Sequence, residues 1–329
     1  MISLFDPFAR ITTLAGKSRP MTAVLTVATR PSDLATTQTN IVVDQLRTAH
    51  PYIEFKIKTI TTSGDTDSKT ALWNLKSTGF FTSQLENALL QNYADIAIHS
   101  FKDLPTQQPD GLTVAAITER KPPEDCLLTA QPITSVEQLP NAAKIGTSSL
   151  RRTAQIKHLR PDVITEPIRG NVATRIRKLD EGEFDAIILA HAGLLRLSLT
   201  DRICICFDPI EFIPAPAQGA LAVQTRTDDA VAIEVTAAVN HRDTAITAQA
   251  ERRILSVTKC GCHAPVGAYA RIQGDTIEII AFIANPDGSN FIRRSTTGSI
   301  GDATQLADDL AHQILNAGGQ QILDNLQPQ

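Results

Sequence analysis

Between Lys144 and Leu197 the sequence twice places cations on the first turn of a helix that follows a short strand. The first unit runs through Thr147, Ser148 and Ser149 into a helix carrying Arg151 and Arg152. The second runs through Arg169, Gly170 and Asn171 into one carrying Arg175, Arg177 and Lys178. A helix N-terminus leaves backbone N–H groups unpaired and carries partial positive charge, so it favours anions. Capping hydroxyls add polar partners there, and guanidinium forks match carboxylates two oxygens at a time. Repetition within one segment suggests a ligand with several carboxylates or phosphates. Taken alone, the same arginines also suit solvated helix faces.

A second segment, SFKDLP, sets Ser100, Lys102 and Asp103 just past an apolar run and closes it with Pro105. Among cations, a carboxylate placed there stays ionised and can steady a developing positive charge or move a proton. A surface aspartate paired with Lys102 is the plainer reading. Five cysteines in so long a chain, without dense spacing, indicate a reducing compartment and a cytoplasmic protein. Two pairs are spaced Cys-x-Cys. Cys260 and Cys262 adjoin His263, but this is not a usual zinc pattern, so no metal is expected. Cys204 and Cys206 alternate like strand residues and are expected to be small core side chains.

The chain of 329 residues has room for two or three domains. A net charge of −4 argues against a nucleic-acid binder working through a basic field, which makes the basic patch local. No apolar run approaches the roughly 20 residues of a membrane span, so no membrane partner is expected. Residues 1–21 are expected to be a disordered extension, with an organelle-targeting segment as the alternative.

The elements that must hold these groups alternate strand and helix. AVLTVATR (23–30), FKIKTITT (55–62) and ADIAIHS (94–100) are β-branched or apolar runs, and the segments between them repeat at helical spacing. Such alternation predicts a mostly parallel sheet with its ligand crevice at the carboxyl ends of the strands, where Arg30, Ser32 and Asp103 fall. The Pro- and Ala-rich run FIPAPAQGALAVQTR (212–226) reads as a crossover returning to the first lobe. Beyond it, a helix over 248–257, three strands divided by turn residues and a helical tail broken at Gly318-Gly319 predict a small α+β domain. The expected fold is α/β in three domains: 22–120 with 216–238, then 121–215, then 239–329. The two lobes meet as in a closing-cleft binding protein.

In order, RPSDLATTQ, DIAIHSFKDLP, GTSSLRRTAQ, RGNVATRIRKLDEGEFDAIILAHAGL, PAPAQGALAV and ERRIL…CGCHAPVGAYA make a long, specific set. The chain resembles the porphobilinogen deaminase (hydroxymethylbilane synthase) family of tetrapyrrole biosynthesis from about residue 23 onward. The resemblance implies two lobes like periplasmic binding proteins and a small third domain. It also implies a covalent dipyrromethane cofactor. On this cofactor four porphobilinogen units are condensed with loss of ammonia, and water then releases 1-hydroxymethylbilane. The family's attachment cysteine matches Cys262, giving a thioether tether, and its catalytic aspartate matches Asp103. Its cofactor- and substrate-binding set matches Arg30, Ser32, Ser100, Lys102, Thr147, Ser148, Ser149, Arg151, Arg152, Arg169, Arg175, Arg196 and Gln218. A monomer whose only partner is the small-molecule substrate porphobilinogen is expected.

Several positions depart from the family pattern. Lys76-Ser77-Thr78-Gly79 lacks its loop lysine, Asn74 stands where a lysine is often found, and Glu124-Asp125 replaces Arg-Asp, although Arg120 is retained. Ala217 replaces a glycine ahead of Gln218, and Cys260 replaces another two residues before Cys262. A non-catalytic protein holding an anionic molecule in the same cleft is the competing function, and it would need neither Asp103 nor Cys262. A sensor built on the Cys-x-Cys pairs would need both pairs to meet in space.

Overall fold

The computed structural model describes residues 23–61, 82–259 and 264–326. The extension 1–21, the altered 74–79 loop, Cys260 and Cys262 lie outside the described residues.

The first lobe is a five-stranded sheet in the order β2-β1-β3-β10-β4, formed by β1 (Ala23–Thr29), β2 (Ile53–Thr59), β3 (Ile96–Ser100), β4 (Leu112–Ile117) and β10 (Leu221–Arg226). The second has the order β7-β6-β8-β5-β9, from β5 (Asp125–Thr129), β6 (Lys144–Gly146), β7 (Ile164–Glu166), β8 (Ala186–Ala190) and β9 (Ile205–Cys206). The two sheets share a plan. In each, four strands run one way and one runs against them: β10 in the first and β5 in the second. Both opposed strands follow directly on a crossover between the lobes.

Sequence pattern accounts for the layers. The central strand β3 buries Ile96, Ala97, Ile98 and His99, as a strand covered on both faces must. Ser32 caps the helix Asp33–Ala49, its hydroxyl accepting the Ala35 N–H, and Val42, Val43 and Leu46 on that helix pack against Val27 and Ile96. In the second lobe Ile156 of the helix Leu150–Leu159 packs with Leu127, Ile145 and Ile188. Each such side chain taken from water contributes roughly 1.5–3 kcal/mol.

The crossovers are tied to each other. Lys121 N–H donates to Gly219 O at 3.2 Å, and Arg120 Nε donates to Gln218 O at 2.8 Å. Gly219 lies at φ +95°, and a Cβ there would sit 2.2 Å from Lys121 O, so only glycine fits. Ala217 also takes a left-handed conformation, φ 62°, which costs a residue with a Cβ about 1–2 kcal/mol. Burial of its methyl group and a 2.6 Å hydrogen bond from its N–H to Glu251 Oε2 hold it there.

The third domain packs the antiparallel β11 (Val266–Gln273), β12 (Thr276–Ile283) and β13 (Ile292–Ser299) against the helices Arg242–Thr258 and Ala303–Ile314, around Ile254, Ile277, Ile279 and Leu310. The first helix starts earlier than the spacing predicted, because His241 caps it by accepting the Thr244 N–H. The tail bends at Gly318, φ 114°. No helix among the described residues is long and apolar enough to cross a membrane.

The expectation that Cys204 and Cys206 are core side chains is overturned: Cys206 is exposed and Cys204 half-buried. β9 is two residues long and lies at the sheet edge. Alternation identifies which residues share a face, not whether anything covers it.

Candidate active site

Asp103 stands on a single 3-10 turn, Phe101–Asp103, at the carboxyl end of β3. Phe101 and Leu104 are buried on either side of it, so the turn is pinned while Asp103 itself is exposed. The pin comes from another domain. Arg252, on the Arg242–Thr258 helix, donates to Phe101 O at 3.0 Å, Leu104 O at 2.7 Å and Pro105 O at 2.6 Å, and its guanidinium lies 4.3 Å from the Phe101 ring centroid. One residue earlier, buried Glu251 accepts from Arg120 at 2.5 and 3.1 Å and from the N–H groups of Ala217 and Ala270. This one helix therefore sets both the Asp103 turn and the crossovers. It ends at Thr258, and left-handed Lys259 turns the chain into the 260–263 segment.

Across the cleft, the two cations that open the helix Leu150–Leu159 point inward. Arg151 Nη1 donates to Asp125 Oδ2 at 2.7 Å and to Ile213 O at 2.8 Å. Arg152 grips Asp125 Oδ1 through Nε (3.1 Å) and Nη2 (2.7 Å) and donates to Ile188 O at 2.9 Å. All three residues are buried. Burial alone would raise the Asp125 pKa, but Arg151 and Arg152 outweigh it and hold the carboxyl far below the usual range. Their neighbouring hydroxyls are committed locally. Ser149 Oγ accepts the Arg152 N–H, Thr147 Oγ1 accepts the Ser149 N–H, and Ser148 Oγ donates to Ile168 O at 2.7 Å.

Gln218 joins the two sides. Its Nε2 donates to Asp125 Oδ1 at 2.9 Å and to Pro123 O at 2.7 Å, while its Oε1 accepts from Lys102 Nζ at 3.1 Å. A continuous polar path thus runs from the Arg151–Arg152–Asp125 cluster through Gln218 to the residue beside Asp103. Burial brings the Lys102 pKa down to about 8; Asp103 and Asp125 oppose the shift, and Arg152 and Arg151 reinforce it. Arg175 is brought down to about 10 by burial and by the charges of Arg152 and Arg169, against the pull of Asp103. Its Nε donates to Gly170 O at 2.9 Å, and Asn171 caps its helix.

The remaining predicted residues sit at the margins of this group. Arg30 directly follows β1, and its charge is felt by His99. Burial brings the His99 pKa down to about 4, and its ring nitrogen meets Gln224 Oε1 at 3.0 Å inside the sheet. Ser32 serves its helix cap, and Ser100 exchanges hydrogen bonds with buried Gln38 at 3.0 and 3.2 Å. Arg196 donates to Gly219 O at 2.7 Å, which places it at the crossover. Cys262 lies outside the described residues.

Sequence reasoning passed over Asp125, Glu251 and Arg252. A signal existed for the first: an acidic residue opening the apolar run DCLLT must find partners once that strand is buried. Glu251 and Arg252 stand in the helix predicted over 248–257 with no role assigned to them, and only the packing of the third domain reveals their targets.

Comparison with known proteins bears on what this cleft is for. A family profile described as porphobilinogen deaminase, dipyromethane cofactor binding domain, matches residues 25–234, and one described as its C-terminal domain matches residues 245–316. The porphobilinogen deaminase of Thermus thermophilus is 43% identical over 301 residues, covering 91% of this chain and 98% of the relative. Among solved structures, the methionine binding protein MetQ is similar at TM-score 0.42 with 11% identity, covering 65% of this chain and 88% of its own. The L-cystine solute receptor of Neisseria gonorrhoeae is similar at TM-score 0.38 with 12% identity, covering 67% of this chain and 86% of its own.

Proposed function

We infer what individual residues do from one premise: this chain belongs to the porphobilinogen deaminase family. It is a transferase that acts on porphobilinogen and uses a dipyrromethane cofactor. In that reaction four porphobilinogen molecules are joined head to tail with loss of ammonia, and water releases 1-hydroxymethylbilane for tetrapyrrole synthesis.

The donor set fits such a cofactor. Burial and the charges of Arg152 and Arg169 lower the pKa of Arg175 in the second lobe, and burial with Arg152 and Arg151 lowers that of Lys102 in the first. Within this group Asp125 is consumed by Arg151 and Arg152, leaving Asp103 as the balancing carboxylate. Such an excess of desolvated cations calls for added negative charge, and acetate and propionate arms provide it. When bound, the cofactor would supply the nucleophilic pyrrole carbon to which units are added. Arg30, Ser32, Ser100, Lys102, Thr147, Ser148, Ser149, Arg169, Arg175, Arg196 and Gln218 form its cradle and the substrate's. Arg151 and Arg152 contribute the positive field set up around Asp125.

Asp103 is the catalytic residue. Loss of ammonia leaves positive charge on the substrate pyrrole, and a fixed, exposed carboxylate between Lys102 and Arg175 stabilises that charge as it develops. It can also pass a proton to the leaving amine. Cys262 is the attachment residue, through a thioether. The observation carrying this reading is that one helix both grips the Asp103 turn through Arg252 and leads into the segment that contains Cys262. Arg252 stands six residues, or about 9 Å of helix, before that helix ends. We place the enzyme in the cytoplasm, in keeping with its few, widely spread cysteines, and read it as a monomer.

Intact mass spectrometry tests the tether. The purified protein should weigh one dipyrromethane more than its polypeptide, and Cys262→Ala should lose that increment along with turnover. An active protein with the bare polypeptide mass would refute attachment.

A further inference from the structure

The reverse face of β5 carries a cluster that the reaction does not use. Side chains alternate along a strand, so Asp125 turns toward the arginines while Glu124 and Cys126 turn the other way. β9 runs antiparallel to β5 with Cys206 directly opposite Cys126, and their sulfurs lie 3.2 Å apart. His191 opens the short helix after β8, the other neighbour of β5. Its Nδ1 is 3.8 Å from Cys206 Sγ and 3.3 Å from Glu124 Oε1. The two sulfurs and one imidazole nitrogen all lie within 4.8 Å of one another.

We propose that Cys126, Cys206 and His191 bind a borderline-soft d10 cation, with Zn2+ as the reference ion and the Glu124 carboxylate as fourth ligand. Two thiolates, an imidazole and a carboxylate are donors that zinc accepts in a tetrahedron. The same set disfavours magnesium and calcium, which take oxygen ligands. At zinc–sulfur bonds of about 2.3 Å, tetrahedral geometry separates two sulfurs by about 3.8 Å. The observed pair therefore needs to open by only about half an ångström, which rotation of exposed Cys206 can supply. Cys126 is fully buried, whereas Cys206 is exposed and His191 and Glu124 are partly so, which leaves an entry path from solvent. Among the described residues the neighbour of Cys206 is Cys126, 80 residues earlier; the sensor alternative also needed Cys260 and Cys262, which lie outside the described residues. Bound metal would pin β5, β9 and the helix leading to Arg196 behind the arginine cluster.

The test uses the reduced, chelator-treated holoenzyme. One equivalent of Zn2+ should bind, and Co2+ in its place should show thiolate-to-cobalt charge transfer and the strong visible bands of a tetrahedral site. Cys206→Ser and His191→Gln should each weaken zinc binding by about 100-fold, while Cys204→Ser should leave it unchanged. Cys206 is exposed and His191 and Cys204 partly so, and retained folding of each variant is checked by melting. In the wild-type protein Zn2+ at about 100 times its Kd should raise Tm by roughly 5 °C. Absence of stoichiometric binding would overturn the proposal. So would binding that survives in the Cys206→Ser/His191→Gln double variant or disappears with Cys260→Ser instead. An unreduced sample two hydrogens light, with Cys126 and Cys206 linked in its peptide map and no metal uptake after reduction, would overturn the proposal and assign the pair to a disulfide.

Discussion

Two aspartates stand on either side of the first crossover and have opposite surroundings. Asp103 closes the turn after β3, exposed, with cations facing it from a distance. Asp125 opens β5, wholly buried, with both oxygens taken by Arg151, Arg152 and Gln218. A carboxylate whose lone pairs are filled by fixed donors can organise charge but cannot respond to it. One left open to solvent among cations can meet a charge that appears during reaction. On the function proposed above, the buried aspartate fixes the arginines that set the positive field, and the exposed one meets the charge that develops in the reaction.

The strongest way to break that distinction is Asp125→Ala. Removing the acid leaves two buried guanidinium groups uncompensated, and the expected loss is about 3–5 kcal/mol of unfolding free energy, read from urea denaturation. Asp103→Asn should do the reverse. Stability should stay within about 0.5 kcal/mol, as for an exposed side chain, while kcat falls about 10²–10³-fold. Near-wild-type turnover in Asp103→Asn, or near-wild-type stability in Asp125→Ala, would erase the division of labour.

Gln218 sharpens the comparison, since it touches buried Asp125 and the lysine beside exposed Asp103. Gln218→Leu keeps the volume but strips a donor from Asp125 and an acceptor from Lys102. A cost of about 1–3 kcal/mol in stability is expected, with KM for porphobilinogen rising more than kcat falls. A pure packing role would leave the KM-to-kcat balance unchanged.

How much of this was legible beforehand differs between the two aspartates. Asp103 could be read because local signals converge on it: a β-branched strand, a lysine, a following proline. The alternation of strands and helices likewise exposes both lobes. Asp125 depends on register. That Arg151 and Arg152 spend their forks on a strand some 26 residues earlier follows from β5 entering its sheet antiparallel to β8, which no periodicity encodes. The opposed strand β10 posed the same difficulty, arriving beside β3 from more than 100 residues away. Arg252 was hidden for a related reason, because its acceptors are backbone carbonyls, which every sequence offers.

Lys102 provides the finest test, through pH. Burial, reinforced by Arg152 and Arg151, brings its folded pKa to about 8 from an ordinary value of 10.5. A depressed lysine pKa means that folding disfavours the charged form. The penalty is complete below about pH 8 and is relieved as pH rises toward the unfolded value, so this residue's contribution to stability increases across that window. Anion binding changes in the opposite sense, because the ammonium that would face the substrate carboxylates is lost over the same range. At pH 9, a group with a pKa of about 8 is only about one-tenth protonated. Carboxylates already in the cleft raise that pKa, so the alkaline limb of kcat/KM should fall with an apparent pKa at or above about 8, by up to tenfold per pH unit. Lys102→Arg should flatten the limb, since guanidinium does not titrate there, at the cost of the compact fit to Gln218 Oε1. If Lys102→Arg instead kept the wild-type limb, the titrating group would lie elsewhere, and Lys102 would belong with Asp125 among the groups that only shape the field.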